Sequence, residues 1–457
     1  MRSCASTRDG CRVQICGRRW RLSAIGGKSG QPLWGRSQCH LCRLRWLFAE
    51  QQIRATGHEP LVIDAHLEGL DTSVVKARLD RFQPDFLVIP TAPSYLFWRC
   101  PPPELRVPQK WFAELENAAV KVAIGPHPSA TPGATLRKLN CDVAMRGEPD
   151  QTLPQLASRP WSEIEGCCWR DESGIHLNPG LAVTNMRDLS ALSFENYDVE
   201  AHQHRHHVFH GLGRGAELEF ARGCPWACSF CNKTLFRNKF RERSVNAVLQ
   251  EVDTLISRGV DYIYWIDEIF GVGKPVRQLL EQLSTRKVAI GLQTRIDLWD
   301  EESLDLLGRA HCISMECGIE SITDEGRDEL NKNCRISTGR IAELLIYARQ
   351  RVPWVQANLI LTEHDQREQV REFQENLRRH GVWSAIRVSA TYRTSSPFLA
   401  RTSNARIDHL RHGRWGLDVH TRARHRARAG GASRYSCQLR QTSAAAPDRV
   451  DAHAGSG

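Results

Sequence analysis

Three cysteines stand close together in the run GCPWACSFCNK: Cys224, Cys228 and Cys231, spaced C-x3-C-x2-C. Thiolates at this spacing can wrap one inorganic centre from a single loop, and sulfur donors suit an iron–sulfur cluster or zinc. A structural zinc site closes with four protein ligands, and a ferredoxin cluster takes four thiolates. No fourth cysteine or histidine follows at short spacing. Three ligands leave one metal position open, and an open position is where chemistry on a bound molecule occurs. A zinc loop or incidental thiols are the competing readings at this point.

Such a loop needs a scaffold that presents it to other side chains. A β-rich run, Glu217–Ala221, comes directly before the cysteines. After them come helix Ser244–Arg258, with Ser244 as N-cap and Gly259 as C-cap, strand Val260–Asp267, helix Pro275–Leu283 and strand Lys287–Arg295. Helix Glu301–His311, strand Cys312–Glu320, helix Thr338–Arg351, strand Val355–Thr362, helix Asp365–Gly381 and strand Ser384–Tyr392 follow. Six strands with intervening helices predict a parallel α/β sheet. Right-handed crossovers then place all strand carboxyl ends on one rim. Polar residues fall there: Asp267 and Glu268, then Gln293, Arg295 and Asp297 in QTRID, then Glu320 in CGIES. Each could equally be a surface or inter-helix ion pair. The basic run Arg237, Lys239, Arg241 and Arg243 reads as a solvated face, and Cys312, Cys317 and Cys334 as buried free thiols.

Upstream, residues 46–150 alternate in the same way. A helical stretch ends at Gly57, and strand Pro60–Asp64, helix Asp71–Phe82, strand Asp85–Pro90, helix Gln109–Ala119 and strand Val120–Gly125 follow. This is a second parallel sheet, whose ligands belong at the strand carboxyl ends. The loops Thr91–Leu96, Gly125–Ser129 and Arg146–Asp150 occupy those ends. Residues 151–215 read as a linker with a small hairpin turning at Asp171–Gly174. Its histidines, His202, His204, His206, His207 and His210, read as solvated loop residues.

Composition bounds the function. The 457 residues are ordinary globular material, 41% apolar and 25% charged, and suggest two or three domains. No apolar run reaches the ~18 residues of a membrane helix. The arginine-bearing N-terminus lacks the apolar core of a secretory signal. Sixteen cysteines without export argue for reduced thiols or metal ligands rather than a disulfide framework. The net charge of +10 sits at the ends: residues 1–45 carry +9 and 401–457 carry +7, leaving −6 for the body. No nucleic-acid partner is therefore expected of the folded part. The two ends read as irregular, with the composition of basic arms or of out-of-frame translation of GC-rich DNA.

The triad, with Phe230 just before its last cysteine, resembles the signature of radical S-adenosylmethionine (SAM) enzymes, and the partial (β/α)6 barrel is the fold of that family. Upstream, Ser94-x-Leu96, Gly125 in GPHPS and the phrase RGEPDQT resemble the cobalamin-binding domain. Together they describe an α/β protein: a Rossmann-like cobalamin-binding domain over 46–150, a linker to 215, and a radical SAM barrel over 216–400, between irregular termini. This is the order of the cobalamin-dependent radical SAM group, which includes methyltransferases and magnesium-protoporphyrin ester cyclases. The resemblance implies that Cys224, Cys228 and Cys231 hold a [4Fe–4S] cluster, whose open iron is chelated by SAM and whose electron yields a deoxyadenosyl radical. It implies that Phe230, Asp267, Glu268, Arg295 and Glu320 contact SAM, and that Ser94 and Gly125 lie along the nucleotide tail of cobalamin. It further implies a cytoplasmic enzyme with a small-molecule or lipid substrate and an electron donor such as flavodoxin or ferredoxin. The substrate pocket is expected to be lined by Phe230, Trp265 and the last strand. Asp64-Ala65-His66-Leu67-Glu68-Gly69 matches the pattern of a cobalt-ligating histidine, but it follows the second strand rather than the first. His66 therefore reads as a surface residue, and the first strand should lie upstream.

Overall fold

The computed structural model describes residues 21–26, 43–65, 68–91, 105–115, 119–195, 199, 214–231, 233 and 236–386. The missing first strand is there: Arg21–Gly26 (β1) lies within the stretch that reads as irregular. Only six residues long and flanked by arginines, it has no composition window of its own. Helix Arg43–Ala55 (α1), strand Glu59–Asp64 (β2), helix Thr72–Phe82 (α2), strand Phe86–Pro90 (β3), helix Arg106–Glu114 (α3) and strand Val120–Ile124 (β4) follow. Next come the short helices Pro126–Ala130 (α4) and Pro132–Leu139 (α5), strand Val143–Met145 (β5), and a hairpin of Cys167–Asp171 (β6) and Gly174–Leu177 (β7). The sheet order is β2-β1-β3-β4-β5-β6-β7. The first five strands pair in parallel, and the hairpin read as linker adds two antiparallel ones. Because β1 is central, the chain winds outward from it in both directions, and the crevice between β1 and β3 is the switch point at which such sheets bind ligands.

Local chemistry starts these elements where the sequence says. Asp71 caps α2, its carboxylate accepting from the amides of Ser73 and Val74 at 2.9 and 3.0 Å. Strand β3, FLVIP, is buried along almost its whole length, as a strand covered on both faces must be.

The second sheet begins with Arg214–Leu218 (β8). A two-residue strand, Ala221–Arg222 (β9), pairs antiparallel with Arg241–Glu242 (β10) across the cysteine loop. Then follow Val245–Ser257 (α6), Val260–Trp265 (β11), Lys274–Leu283 (α7), Ala289–Thr294 (β12), Glu301–Arg309 (α8), Cys312–Glu320 (β13), Asp324–Glu329 (α9), Thr338–Arg349 (α10), Trp354–Leu359 (β14), Arg367–Arg379 (α11) and Trp383–Ile386 (β15). The six long strands are all parallel, in the order β15-β14-β13-β12-β11-β8. Each strand lies beside its predecessor, which is the arrangement of a partial (β/α) barrel.

Helix α1 serves both sheets. Leu47 and Phe48 belong to the core around the second, whereas Ala49 and Ile53 pack against the first. Trp265 is fully buried beside Phe270, ring centroids 5.6 Å apart, so it is a core residue and not pocket lining. Among the described residues, no helix is long and apolar enough to cross a membrane. His66, Ser94, the histidines of 202–210 and the tail beyond Ile386 lie outside the described residues.

Candidate functional site

The cysteine loop leaves the carboxyl end of β8 and is held at its base by three contacts. Gly223, immediately before Cys224, has φ +80° and donates its amide to Glu268 Oε2 at 2.9 Å. A Cβ at Gly223 would collide with the carbonyl of Lys239, so only glycine fits. Buried Lys233 folds back: its ammonium donates to the Cys224 carbonyl and, at 3.1 Å, to that of Asn238. The sequence reading passed over this lysine.

A second loop clasps the cysteines from the far side. Ser229 donates its amide to the Leu330 carbonyl at 2.9 Å, and Asn331 Nδ2 donates to the Ala227 carbonyl at 2.7 Å. Asn331 and Asn333 both have positive φ, giving 330–333 its tight bend. Arg295 anchors that bend. It donates to the Lys332 carbonyl at 2.7 Å, pairs with Asp297 through two nitrogens at 3.0 and 2.6 Å, and stacks on the Trp226 ring at 4.4 Å. Its guanidinium is thus engaged by the protein, and the arginine positions the loop.

Cys224, Cys228 and Cys231 are free, half-buried thiols. Burial pushes all three up, Cys231 to about 12, so without metal they are protonated at neutral pH. Among the described residues, the one set of three ligand-type groups with donor atoms all within 4.8 Å of one another is exposed Glu329, Glu363 and His364. Three thiolates from one loop, with no fourth cysteine at short spacing, suit a cluster with one open metal position.

The rim carboxylates divide by role. Asp267 is buried, its Oδ1 accepting from the amides of Phe220 and Ala221 at 2.8 Å each. Burial holds this carboxyl well above the usual range, and through the two amides it pins the turn ahead of the cysteines. Its Oδ2 meets no hydrogen-bond partner among the described residues. Glu268 spends both oxygens on the protein, accepting from Gly223 and, at 2.8 Å, from Arg237. Glu320 is the most available of the three. It stands at a bulge in β13 with φ +72°, a conformation costing a non-glycine residue about 1 kcal/mol or more. Its carboxylate folds over Gly318 to Lys332 Nζ, 3.3 Å away. Lys332 is 3% exposed, and sequence reasoning missed it because the short helix α9 separates it from the strand that positions its partner. Phe230 is half-buried on the same loop as the cysteines. At the carboxyl end of β14, Asp365 accepts from Ser321, Ile322 and Thr362 and ties the ends of β13 and β14 together.

In the first sheet, Gly125 has φ +108° and ψ −156°, a region open essentially to glycine alone. Ser129 secures this turn by donating to the Gly125 carbonyl at 2.7 Å and accepting from the Gly147 amide at 2.9 Å. A small cleft opens beside it, lined by Gly125, Glu148, Asp150, Leu153, Phe236 and Arg237 among others, with no histidine among the described residues.

The basic run after the cysteines is not a solvated face. Arg237 and Arg243 are buried, Arg241 is mostly covered, and Lys239 alone among the four points outward. The three arginines each meet an acid: Arg237 meets Glu219 and Glu268, Arg241 meets Glu148, and Arg243 meets Glu251. Phe48 of α1 lies under the guanidinium groups of both Arg222 and Arg243, 5.2 and 4.8 Å from its centroid.

A rim of strand carboxyl ends carrying a three-thiol loop defines a class, and residues 218–374 match the family model of the radical SAM superfamily. That stretch of the chain is a radical SAM domain. The described fold as a whole is similar to that of two solved cobalamin-dependent enzymes. The radical SAM methyltransferase TsrM from Kitasatospora setae matches over 81% of this chain and 73% of its own, with TM-score 0.65 and 16% identity. OxsB, solved with aqua-cobalamin and SAM, matches over 84% of this chain and 55% of its own, with TM-score 0.62 and 17% identity. An uncharacterized methyltransferase, PH0819, of Pyrococcus horikoshii is 23% identical over 277 residues, 58% of either chain. The anaerobic magnesium-protoporphyrin IX monomethyl ester cyclase of Cereibacter sphaeroides is 25% identical over 45% of this chain and 36% of its own. The hopanoid C-3 methylase of Methylococcus capsulatus is 30% identical over 32% of this chain and 28% of its own. The chain thus spans well under two thirds of the length of these curated relatives.

Proposed function

We propose that the chain is a cytoplasmic, cobalamin-dependent radical SAM methyltransferase acting on an unactivated carbon of a small-molecule or lipid substrate. The observation that carries this reading is the loop of Cys224, Cys228 and Cys231: three thiols, no fourth cysteine or histidine following at short spacing in the sequence, on the rim of a radical SAM domain. A [4Fe–4S] cluster held by them supplies, when reduced by a donor such as flavodoxin or ferredoxin, the electron that splits SAM into methionine and a deoxyadenosyl radical. Around it, Gly223, Lys233 and Glu268 fix the start of the loop, and Arg295, Trp226 and Asn331 fix its far side. Glu320 and Lys332 offer a carboxylate and an ammonium at one spot, matched to the ammonium and carboxylate of SAM. Phe230 offers an aromatic face beside the cysteines.

The turn at Gly125 stands at a strand carboxyl end, where the nucleotide tail of cobalamin would lie, and among the described residues lining the small cleft beside it there is no histidine. Support for this half of the reading is the central β1, which completes the Rossmann-like sheet, and the glycine-only turn at Gly125. A cyclase or rearrangement without methyl transfer is the second reading, favoured by the similarity to the magnesium-protoporphyrin ester cyclase. Anaerobic reconstitution with iron, sulfide and cobalamin, followed by product analysis, tests both. A methyltransferase yields S-adenosylhomocysteine together with 5′-deoxyadenosine, whereas a cyclase yields no S-adenosylhomocysteine. The absence of any SAM cleavage removes both readings.

A further inference from the structure

The first sheet grips the cysteine loop of the second through one buried chain of charges. Asp150, just past β5, takes a two-nitrogen contact from Arg222, at 2.6 and 3.3 Å. The same guanidinium reaches Glu148 at 3.2 Å and Glu219 at 2.7 Å. Glu219 accepts from Arg237 at 2.8 Å, Arg237 donates to Glu268 at 2.8 Å, and Glu268 holds the amide of Gly223. Glu148 is also held by Arg241, and Asp150 by the Thr184 hydroxyl at 2.9 Å. Asp150, Arg222, Glu219 and Arg237 are each under 5% exposed.

Stability alone is a poor reason for such a chain. Buried ion pairs lose much of their Coulomb energy to desolvation, and apolar residues of similar volume usually serve as well. What such a buried network does supply is a preferred geometry, because moving one member leaves a buried charge unmet. This one ends on the residue before Cys224.

We propose that Asp150 and Glu148 are positioning residues for the cysteine loop, acting through Arg222, Glu219, Arg237 and Glu268. Glu148, Asp150 and Arg237 also border the small cleft beside Gly125, so the network reaches the strand ends at which such a sheet takes its ligand. The first domain thereby prepares the SAM-cleaving centre as well as carrying its own ligand. The role in SAM cleavage rests on the function proposed above; the mechanical link does not.

The test uses the full chain, reconstituted anaerobically with iron and sulfide, as wild type, Asp150→Asn and Asp150→Glu. Asp150→Asn is expected to take up wild-type iron but to lose it to a chelator about tenfold faster, within the range seen when outer-shell partners of metal sites are changed. Its KM for SAM rises about tenfold, more than its kcat falls. The shift that SAM induces in the electron paramagnetic resonance (EPR) spectrum of the reduced cluster shrinks. Asp150→Glu, which keeps the charge, recovers most of each effect. Wild-type chelation rate, KM and spectrum in a folded Asp150→Asn protein overturn the proposal, as does a loss of stability with those three readouts unchanged. If Asp150→Asn does not fold, Glu148→Gln, which leaves the Arg222–Asp150 pair intact, is read instead: the same changes at about threefold support the proposal, and wild-type values overturn it. A wild-type chain that holds a cluster without cleaving SAM defeats the proposed function, while the chelation rates still decide this point. If no cluster forms, the alkylation rate of Cys224 decides it: faster in Asp150→Asn supports the link, unchanged overturns it.

Discussion

Arg222 and Asp150 stand 72 residues apart in sequence and meet at 2.6 Å, with neither side chain open to solvent to any useful degree. Burial pushes the Asp150 carboxyl up, but the charge and hydrogen bonds of Arg222 more than offset it and hold its pKa at about 2. A carboxyl depressed in the folded state stabilises fully above its unfolded pKa, near 3.9, and ceases to do so as pH falls through 2. A shift of this size is worth about 2 kcal/mol. Denaturant midpoints measured from pH 5 down to 2 should fall more steeply for wild type than for Asp150→Asn. Equal slopes would remove the pair from the account of acid stability.

Gly223 is the narrowest backbone passage at the site. Gly223→Ala must take φ +80° with a methyl group driven at the Lys239 carbonyl. The conformational part alone costs about 1–3 kcal/mol. The expected outcome is a protein that folds elsewhere but holds less than half the wild-type iron after reconstitution, read by metal analysis.

Lys332 and Glu320 form a pair with one partner nearly fully covered. Lys332→Met leaves Glu320 in place and removes the cation next to the cysteine loop. The KM for SAM should rise about 10- to 100-fold, with cluster content unchanged. A wild-type KM would take Lys332 out of the SAM site.

Strand β1 pairs on both sides, Ala24 with Val62 of β2 and with Val88 of β3. A proline in a central strand removes a ladder donor and is tolerated essentially only at edges and bulges. Ala24→Pro should abolish cobalamin retention on gel filtration. Retention equal to wild type would mean that β1 is not needed for the first domain.

Much of this molecule is legible without coordinates, and the misses have physical causes. The triad, the parallel strands of the second sheet and the start of α6 after Ser244 follow from spacing, apolar runs and residue type. Strand Cys312–Glu320 is found residue for residue. Strand β1 is hidden because RLSAIG is short and sits among arginines. The arginines after the triad mislead because charge in sequence signals solvent unless the opposing acids are known, and Glu148, Glu219 and Glu251 come from three separate segments. Asp267 and Glu268 are found as rim carboxylates, yet what each holds is a backbone amide, a pairing that only tertiary contact reveals.

The account stands most directly on the vacancy left by a three-thiol loop. The decisive measurement is EPR of the anaerobically reconstituted, reduced full chain before and after SAM is added, with iron and zinc quantified in the same sample. The account predicts about four irons per chain, a cluster signal that changes when SAM binds, formation of 5′-deoxyadenosine, and loss of all three in Cys228→Ala. A single zinc or iron per chain, or a cluster signal indifferent to SAM, would contradict it.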